Sequence, residues 1–595
     1  MSNRIEVPVV IVGGGPVGLS ASIMLSKLGI KHILFEKHPG TSIHPKAVGL
    51  NQRTIEIFRN LGIEEEVYKI AAPRSTYERT AWYTSFGGPT ELHGRQIAVR
   101  DAWGGGQYKE EYRAASPSYY TMLAQIRLEP LLRTEAEKYS EADLYFNTQV
   151  VDLVQDEDCV IVTAKASNDE VMEFTCQYVI GADGGRTVPA LLNISFDGPT
   201  NLVDMVTAHF SADLSEYLPD DGCLINWFIN PDLGGSIGSG YLYHLGPYDN
   251  RGVSKEWVFA CGFAADDPAR FNDDEMKKRI NRSLGIPELE VELHSISHWY
   301  IQAVVAERFR KGRCFLVGDA AHRIPPWGAL GLNSGIQDAH NLVWKLATVL
   351  NNPGRSPLLD TYNEERRPIA QAIAHSSLSN FQNHGDVVDK ALGLTPATPK
   401  EEGWRAINDL WNNSSVSEQK RQKLEKALTL LDKEFHAHGV ECGFSYPSGA
   451  ISLEQVENQN VLPGDPLIYK PTTIPGHHLP HFWLDGPNEQ ISTVDLFTSG
   501  KFVLIVDEAE EEWRKAVQQL DSEFSDLLDV VSIGGDEAIY PDQTGRWSSL
   551  REVSPSGAII VRPDKIVAWR SEALPENPRD SLTKALKNVF NIKQV

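Results

Sequence analysis

The first residues with a chemically suggestive spacing are the glycines of a turn near the start of the chain. Gly13, Gly15 and Gly18 give the pattern GxGxxG, with Pro16 inside it. In such a turn the first glycine permits a tight bend, the second lets the backbone approach a pyrophosphate, and the third lets helix and strand pack closely. A carboxylate, Glu36, follows at about the 20-residue distance at which an acid accepts hydrogen bonds from ribose hydroxyls. The spacing therefore predicts a site for a nucleotide cofactor.

The hydrophobic pattern around the turn predicts the elements that position it. Residues 9–12 are an apolar run typical of a buried strand, and a helical spacing of apolar residues begins at Leu19. A second apolar run, residues 33–35, ends directly on Glu36. Strand, turn, helix and strand in this order favour a dinucleotide fingerprint over an ordinary structural glycine turn. The motif alone does not distinguish NAD from FAD.

A second strand end carries polar chemistry further along the chain. The apolar run 314–317 ends in Gly318 and Asp319, and after a proline-containing loop a helix is predicted to open at Ser334. An acid at a strand end can bind sugar-type hydroxyls, and the free N–H groups of a helix N-terminus carry partial positive charge. The arrangement suits a flavin, with Asp319 at the ribityl chain and the helix near the N1/C2 carbonyl region. The alternative is that Asp319 only caps a helix.

The composition describes an acidic globular protein of several domains. The chain has 595 residues and a net charge of −24, which argues against nucleic acid or an anionic membrane as a partner. No apolar run is long enough to span a bilayer, and no signal-peptide h-region precedes the first strand. The six cysteines are scattered and form no CxxC pair. They favour a reducing cytoplasm over a disulfide framework or a zinc site.

Hydrophobic periodicity divides the rest of the chain into sheet-rich and helix-rich parts. Residues 196–300 alternate short β-type runs with turn residues and carry many aromatic side chains. This pattern predicts an antiparallel sheet with one solvated or ligand-facing side. Residues 84–119 show no helical period and indicate an excursion from the nucleotide fold. The remaining predictions are helices over 51–62, 121–139 and 335–380, strands over 143–165 and 171–181, and a compact β/α segment from about 490 onward.

Three motifs in this order resemble one known family. They are GGGPVG with Glu36, GADGGRTVPALL at 181–192, and GDAAHRIPPWGALGLNSGIQD at 318–338. The chain is similar in them to the class A flavoprotein aromatic hydroxylases, which share the fold of p-hydroxybenzoate hydroxylase. Residues 443–451, 475–484 and 561–570 also resemble the larger members, such as phenol and polyketide hydroxylases, which carry a thioredoxin-like domain.

The resemblance implies an α/β fold in which a Rossmann-like FAD-binding domain is interleaved with an antiparallel-sheet substrate domain. A C-terminal thioredoxin-like α/β domain follows. It lacks CxxC and therefore has no dithiol chemistry, and we expect it to be structural and to contribute to a homodimer. The expected boundaries are 1–75, 120–190 and 300–400 for the FAD-binding domain, 76–119 and 191–299 for the substrate domain, 401–454 for a helical linker and 455–595 for the thioredoxin-like domain.

The resemblance also implies roles for individual residues. Asp183 would lie near FAD and take part in NAD(P)H use, Asp319 would hold the ribityl chain, and Gln125 would contact FAD. The family usually has Arg near Lys46, and a lysine can reach a phosphate but not bind it bidentately. Pro326 is the substrate-side candidate, because the family proline places its carbonyl near the substrate hydroxyl. The implied cofactor-binding residues are Gly13, Gly15, Pro16, Gly18, Glu36, Lys46, Ala47, Val48, Gln125, Asp183, Asp319, Gly331, Leu332 and Asn333.

The implied activity is hydroxylation of a phenolic or polyketide-like aromatic substrate. NADPH or NADH reduces FAD, O2 adds to the flavin, and a C4a-hydroperoxide delivers the oxygen, so that neither a protein nucleophile nor a metal is needed. Simple-phenol hydroxylases carry an acid where this chain has Val48, and Trp327 is bulkier than the usual residue. Both departures favour a larger or fused aromatic substrate, unless they are packing choices. The sequence does not identify the base that deprotonates the substrate.

Two other functions remain open from the sequence. One is Baeyer–Villiger or epoxidising chemistry on the same scaffold, and the other is a non-catalytic FAD-binding redox sensor. His477, His478 and His481 could also be interpreted as a metal site. These histidines lie in a proline-rich loop without a nearby acid, so we expect them to be surface residues and expect no metal site.

Overall fold

A mostly parallel sheet, here called the N-terminal sheet, forms the first layer of the computed structural model. Its central strand Ile5–Val12 pairs in parallel with Val171–Gly181 on one side and with His32–Phe35 on the other. Residues 9–12 are fully or almost fully buried, as expected for a parallel sheet covered on both faces. The structure describes residues 5–249, 251–262, 272–384, 387–452, 460–486, 490–497 and 500–592. The sheet order is Arg310–Lys311, Cys314–Leu316, Val171–Gly181, Ile5–Val12, His32–Phe35 and Ala142–Tyr145, and Thr148–Gln155 and Val160–Ala166 extend it from Val171–Gly181.

The register of this sheet brings the three sequence motifs to one edge. Val12 is opposite Gly181, and Gly181 is opposite Leu316, so three parallel strands end side by side. The glycine turn, the Asp-Gly segment and the Gly318-Asp319 segment each begin directly after one of these ends. Ligands of such sheets bind in the crevice outside the carboxyl ends of the strands.

A second sheet of seven strands, the central sheet, is made by two separate parts of the chain. It is antiparallel as predicted, except that Cys223–Phe228 pairs in parallel with Arg79–Tyr83. One face packs on the helix Asp273–Leu284, and the other carries aromatic rings. The strand order is Glu292–Tyr300, Asp204–Ser211, Ser254–Gly262, Tyr241–Tyr248, Cys223–Phe228, Arg79–Tyr83 and Gln96–Asp101.

The C-terminal sheet has the order of a thioredoxin-like domain. Phe502–Val506 pairs in parallel with Leu528–Gly534 across an intervening helix, and antiparallel with Ala558–Val561. A βαβ unit is thus followed by a ββα unit, and the fold class predicted from the sequence is confirmed. The domain boundaries themselves stay a prediction. The strand order is Tyr540–Pro541, Leu528–Gly534, Phe502–Val506, Ala558–Val561 and Val567–Ser571.

Several helix predictions need correction at their ends. The helix predicted to open at Ser334 begins at Leu330, because Ala329 adopts φ 54° as its N-cap and the Asn333 side chain donates back to the Ala329 carbonyl oxygen at 2.6 Å. The 84–119 excursion does contain a helix, Lys109–Ala115, which is too short to show a period.

The described helices are Pro16–Lys27, Gln52–Leu61, Glu64–Ile70, Lys109–Ala115, Gln125–Ala136, Val188–Leu191, Ser236–Ser239, Asp273–Leu284, Leu330–Asn351, Asp360–His384, Val387–Leu392, Lys400–Asn408, Ser415–Phe435, His438–Cys442, Glu510–Gln518, Ser522–Ser525, Arg546–Leu550 and Pro578–Val589. Two short two-stranded sheets pair Gly49–Leu50 with Thr121–Met122 and Trp483–Asp485 with Gln490–Ser492. In a short three-stranded sheet, Val304–Ala306 lies between Phe196–Asp197 and His322–Arg323. Within the described residues, no helix has the length and hydropathy needed to cross a membrane.

A buried group of charges joins the C-terminal domain to the rest of the protein. Both carboxylate oxygens of Glu365 accept from Arg562, at 2.7 and 2.9 Å, and Lys345 donates to the same carboxylate at 2.8 Å. These three side chains are fully buried. Asp564 pairs with Arg562 from the same hairpin. Because an unpaired buried charge costs several kcal/mol, each domain depends on the charges of the other.

The histidines of the proline-rich loop lie at this interface, so the expectation that they are surface residues is wrong. His478 is buried 3.3 Å from the Glu56 carboxylate, and His481 is buried with its Nδ1 2.7 Å from the Ser492 hydroxyl. His477 is less deeply placed and contacts the Ile474 carbonyl oxygen at 3.2 Å. Burial lowers the pKa of His481 to about 4. The loop runs between two domains rather than along the surface, which its composition did not indicate.

Candidate cofactor and substrate site

Each glycine of the N-terminal turn is required for a different geometric reason. Gly13 has φ 113°, and a Cβ there would lie 2.3 Å from the Ala182 carbonyl oxygen. A Cβ on Gly18 would lie 2.0 Å from the Gly13 carbonyl oxygen, so helix and strand can approach only without a side chain. Gly15 faces open space, with no atom within 4 Å of its Cβ position. Gly13 and Gly18 thus allow the close backbone contacts of the turn, and Gly15 leaves space for a ligand.

The first helix presents its positive end to this open space. Gly15 is its N-cap and Pro16 its first residue, and neither a side-chain cap nor an acidic residue occupies its first turn. Glu36 lies at the edge of the turn, where Oε2 accepts from the Gly14 N–H and Oε1 from the His38 N–H, both at 2.8 Å. Free N–H groups beside a carboxylate suit a phosphate next to a ribose.

The other two motifs touch this turn directly. A Cβ on Gly335 would lie 2.8 Å from Val17 Cγ2 and 2.9 Å from Gly318 Cα, which places the helix Leu330–Asn351 against the first helix. A Cβ on Gly185 would lie 2.9 Å from the Asp319 carbonyl oxygen. The three motifs, separated by more than a hundred residues each, therefore line one crevice.

The second helix N-terminus, at Leu330, is also uncapped. Gly331, Leu332 and Asn333 form its first turn, which contains neither an acidic residue nor a side-chain cap. The Asn333 side chain is used within the protein: its Oδ1 accepts from the Asn51 N–H and its Nδ2 donates to the Gly49 carbonyl oxygen, both at 3.0 Å. This leaves the backbone N–H groups of the turn as the part that can meet a ligand.

Residues 46–48 precede the strand Gly49–Leu50 and bond to the chain around Gln125. The Gln125 N–H donates to the Ala47 carbonyl oxygen at 2.8 Å, and Lys46 stands in the left-handed region at φ 49°. The Gln125 side chain donates to Glu129 at 2.5 Å. The predicted helix over 121–139 begins only at Gln125, because Thr121–Met122 pairs with Gly49–Leu50. The segment is thereby tied to the start of the helix Gln125–Ala136.

The two predicted carboxylates, Asp183 and Asp319, lie near an arginine, Arg323, that was not predicted from the sequence. Asp183 Oδ2 accepts from the N–H groups of Thr187 and, at 2.9 Å, Val188, while its buried Oδ1 has no partner among the described residues. Asp319 is exposed. Burial lowers the pKa of Arg323, and the nearby Asp319 and Asp183 oppose this. Its position directly after the GDAAH run was the signal available in the sequence.

The Pro326 loop separates the crevice from the aromatic face of the central sheet. The Pro326 side chain is exposed and its carbonyl oxygen accepts from the Ala329 N–H at 3.0 Å. Trp327 is buried in one cluster with Tyr241, and its ring centroid lies 4.7 Å from that of Phe381. On the other side, Val48 packs in one cluster with Tyr243.

The residues of the crevice fit FAD. The open Gly15 turn and the Glu36 carboxylate suit the adenosine pyrophosphate, and the exposed Asp319 suits the ribityl hydroxyls. The uncapped helix at Leu330 suits the electron-rich end of the ring. At the Asp-Gly segment, which lies at the same edge of the sheet, the buried Asp183 Oδ1 is an acceptor without a partner among the described residues.

Comparisons with known proteins agree with this fit. A family model described as FAD binding domain matches residues 6–377, and one described as aromatic-ring hydroxylase, C-terminal, matches residues 472–591. The chain is 32% identical to the 2,4-dichlorophenol 6-monooxygenase of Delftia acidovorans over 99% of both proteins. It is 32% identical to the phenol 2-monooxygenase of Pseudomonas sp. (strain EST1001), over 98% of this chain and 93% of that one. The solved structure of the flavin-dependent monooxygenase PieE in complex with FAD and substrate matches with a TM-score of 0.91 at 34% identity, covering 99% of this chain and all of that one.

The chain belongs to the FAD-dependent aromatic-ring hydroxylases. It is an aromatic monooxygenase, and both the resemblance and the cofactor predicted from the three motifs are confirmed. The hydroxylase's FAD-binding family model spans all three motif segments. The roles of the individual site residues stay predictions, which the structure supports by bringing them to one crevice.

Proposed function

We propose that this hydroxylase acts on a phenolic substrate with more than one ring, held between the Pro326 loop and the aromatic face of the central sheet. The observation that supports the proposal is the contact between residues that border the crevice and tyrosines of the central sheet. Val48 and Trp327, which border the crevice, pack with Tyr243 and Tyr241 of the sheet. A flat substrate in this space would lie against the flavin on one side and aromatic rings on the other.

The two tyrosines offer this face neutral phenols. Tyr241 and Tyr243 are partly buried, and burial raises the pKa of both phenols well above the usual value. Both side chains therefore stay protonated at neutral pH. Neutral phenols donate hydrogen bonds, so they suit a substrate oxygen that carries negative charge.

The relatives support the phenolic class. The names of two of them specify phenol and 2,4-dichlorophenol, and a 32% identical protein of Streptomyces halstedii is described as a putative polyketide hydroxylase. The solved structure of aklavinone-11 hydroxylase with FAD and aklavinone matches at 26% identity with a TM-score of 0.78. The apolar Val48 and the bulky Trp327 at the same space favour the larger of these substrates.

The residues of this chain divide the work around the cofactor. FAD, when bound, supplies electron transfer from NADPH or NADH and the activation of O2. The N–H groups at Gly15 would bind the pyrophosphate, Glu36 a ribose and Asp319 the ribityl chain. The first turn of the helix at Leu330 would stabilise negative charge on the flavin ring. The aromatic walls would orient the substrate and exclude water.

The charge and the cysteines of the chain bear on the compartment and on the class of partner that we propose. The net charge of −24 and six free cysteines support a reducing cytoplasm and a small-molecule rather than a nucleic-acid partner. We also propose that the protein forms a homodimer.

The test is NADPH and NADH oxidation by the FAD-loaded protein with a panel of mono- and polycyclic phenols. We expect one polycyclic phenol to stimulate oxidation at least tenfold, with little peroxide and a new ring hydroxyl identified by mass spectrometry and NMR. An inserted ring oxygen or an epoxide would instead establish Baeyer–Villiger or epoxidising chemistry. Stimulation with peroxide as the sole product, or by single-ring phenols alone, would contradict the proposed substrate class.

A further inference from the structure

A histidine and a buried glutamate form a pair beside the proposed substrate space. His384 is the last residue of the helix Asp360–His384, and Glu434 belongs to the helix Ser415–Phe435. The His384 Nδ1 lies 2.9 and 3.1 Å from the two Glu434 carboxylate oxygens. The Glu434 side chain is 2% exposed and that of His384 12%. Such a pair fixes the orientation of the imidazole.

The imidazole lies among the rings that border the substrate space. Its centroid is 4.1 Å from that of Trp227 on the central sheet and 6.1 Å from that of Trp327 on the Pro326 loop. One turn earlier on the same helix, Phe381 contacts Trp327 and the Asn380 side chain donates to the Lys433 carbonyl oxygen at 3.2 Å. The pair is therefore held between the loop and the sheet by packing on both sides.

The other nitrogen of the ring is available. Within the described part of the chain, His384 Nε2 makes no hydrogen bond and is not among the fully buried polar atoms. With Nδ1–H donated to the carboxylate, Nε2 carries the lone pair. Of the other residues that we place at this space, Val48 is apolar, and burial holds the Tyr241 and Tyr243 phenols neutral.

We propose that His384 is the base that takes the proton from the hydroxyl of the aromatic substrate, with Glu434 as its positioning residue. This inference rests on the proposed function. In the step, the substrate O–H bond breaks and an N–H bond forms at Nε2, giving a phenolate and an imidazolium. The phenolate activates the ring for oxygen transfer, and the Glu434 carboxylate stabilises the imidazolium, as an aspartate does in a serine-protease triad.

The charges around the pair are compatible with this step. Burial raises the pKa of Glu434, and the neighbouring imidazole opposes that rise. The titratable group facing the pair from the sheet is the Tyr241 phenol. A proton arriving on His384 therefore meets a carboxylate that has no other described cationic partner.

The first test is a pH titration of 4-nitrophenol bound to the FAD-loaded, oxidised protein, followed by difference absorbance of the phenolate. We expect wild type to bind the phenolate at a pH at least one unit below that at which the free dye ionises. His384→Gln should lose this displacement, and Glu434→Gln should retain part of it. His375→Gln is the matched control, because His375 is exposed on the same helix and should behave as wild type. Equal phenolate binding by His384→Gln and wild type, or binding of the neutral dye by wild type, would overturn the proposal.

Turnover separates this inference from the proposed function. With a phenol found in the panel above, His384→Gln should lose about 100-fold in kcat/KM near neutral pH, the usual scale of general base catalysis. The deficit should shrink as pH approaches the ionisation of the substrate itself, while FAD content stays unchanged. If wild type hydroxylates and His384→Gln matches it at every pH, the inference alone fails. If no aromatic compound stimulates the FAD-loaded wild type, the proposed function fails.

Discussion

Replacing Glu441 by glutamine should stabilise the protein, increasingly so as pH rises. Glu441 is buried in the short helix His438–Cys442, and its Oε2 has no hydrogen-bond partner among the described residues. Burial, together with the nearby Glu111 carboxylate, raises the pKa of Glu441 from 4.5 to about 8. The other titratable groups that interact with it are Tyr112, Tyr120 and Cys442, whose pKa values burial raises.

The sign follows from the proton balance. Between pH 4.5 and about 8 the folded protein keeps a proton on Glu441 that the unfolded chain has released. The stability that this group contributes is therefore complete below pH 4.5 and is lost as pH rises towards 8. At about 1.4 kcal/mol per pKa unit, the total loss is on the order of 5 kcal/mol. A glutamine does not ionise, so Glu441→Gln avoids the loss.

The assay is the difference in Tm between Glu441→Gln and wild type from pH 5 to pH 8.5. Unfolding entropy is about 2.1 cal/mol/K per residue, so 5 kcal/mol corresponds to about 4 °C if the whole chain unfolds together. We expect the variant's advantage to widen by about 3 °C across this range. Glu110→Gln is the control, because that carboxylate is 83% exposed on a neighbouring helix. An advantage that stays constant or shrinks with rising pH would refute the reasoning.

Two further variants test the crevice and the domain interface. Gly18→Ala places a methyl group 2.0 Å from the Gly13 carbonyl oxygen, so the purified protein should hold less than a tenth of the wild-type FAD by absorbance, whereas Gly464→Ala, with open space around it, should stay yellow. A fully loaded Gly18→Ala protein would show that the turn is not the cofactor site. Glu365→Gln leaves Arg562 and Lys345 buried beside a neutral amide and should cost about 3–5 kcal/mol in the free energy of unfolding by urea. The exposed Glu364→Gln is its control, and equal stability of the two variants would mean that the interface charges contribute little.

Local signals in the sequence account for the parts of the fold that were predicted well. The helix predicted over 51–62 is Gln52–Leu61, because the Asn51 side chain caps it at the Thr54 N–H and Gly62 ends it at φ 77°. The first strand, turn and helix follow from an apolar run and three closely spaced glycines, of which Gly18 is constrained locally by the Gly13 carbonyl oxygen. Capping residues and glycines act within a few positions, so a single sequence displays them.

The errors come from contacts between distant residues. The helix at Leu330 starts before the predicted Ser334. Besides its local bond to Ala329, the Asn333 side chain bonds to Gly49 and Asn51, almost three hundred positions away. His478 is buried against Glu56, which lies more than four hundred positions earlier in the chain. Long-range pairs of this kind leave no periodic trace in the sequence.

The site shows the same division. The glycines, Glu36 and the segment around Asp319 were found because each motif is contiguous. The pair of His384 and Glu434 was not, because its members lie 50 positions apart on two helices. Neither residue has a flanking pattern that distinguishes it from a surface position. Only the three-dimensional contacts of His384 with Trp227 and Trp327 place the pair beside the proposed substrate space.

The hairpin that carries Arg562, Asp564 and Lys565 also bears on the order in which parts of the protein fold during synthesis. The carboxylate of Glu365 and the backbone around Glu56 are made hundreds of residues before the cations that satisfy them. Domains usually fold as units from the N-terminal end as the chain emerges. Until the hairpin is made, the Glu365 carboxylate has Lys345 but not Arg562 beside it. We therefore expect docking of the C-terminal domain to be a late step in maturation, and a chain that ends before the hairpin to be less stable than the whole enzyme.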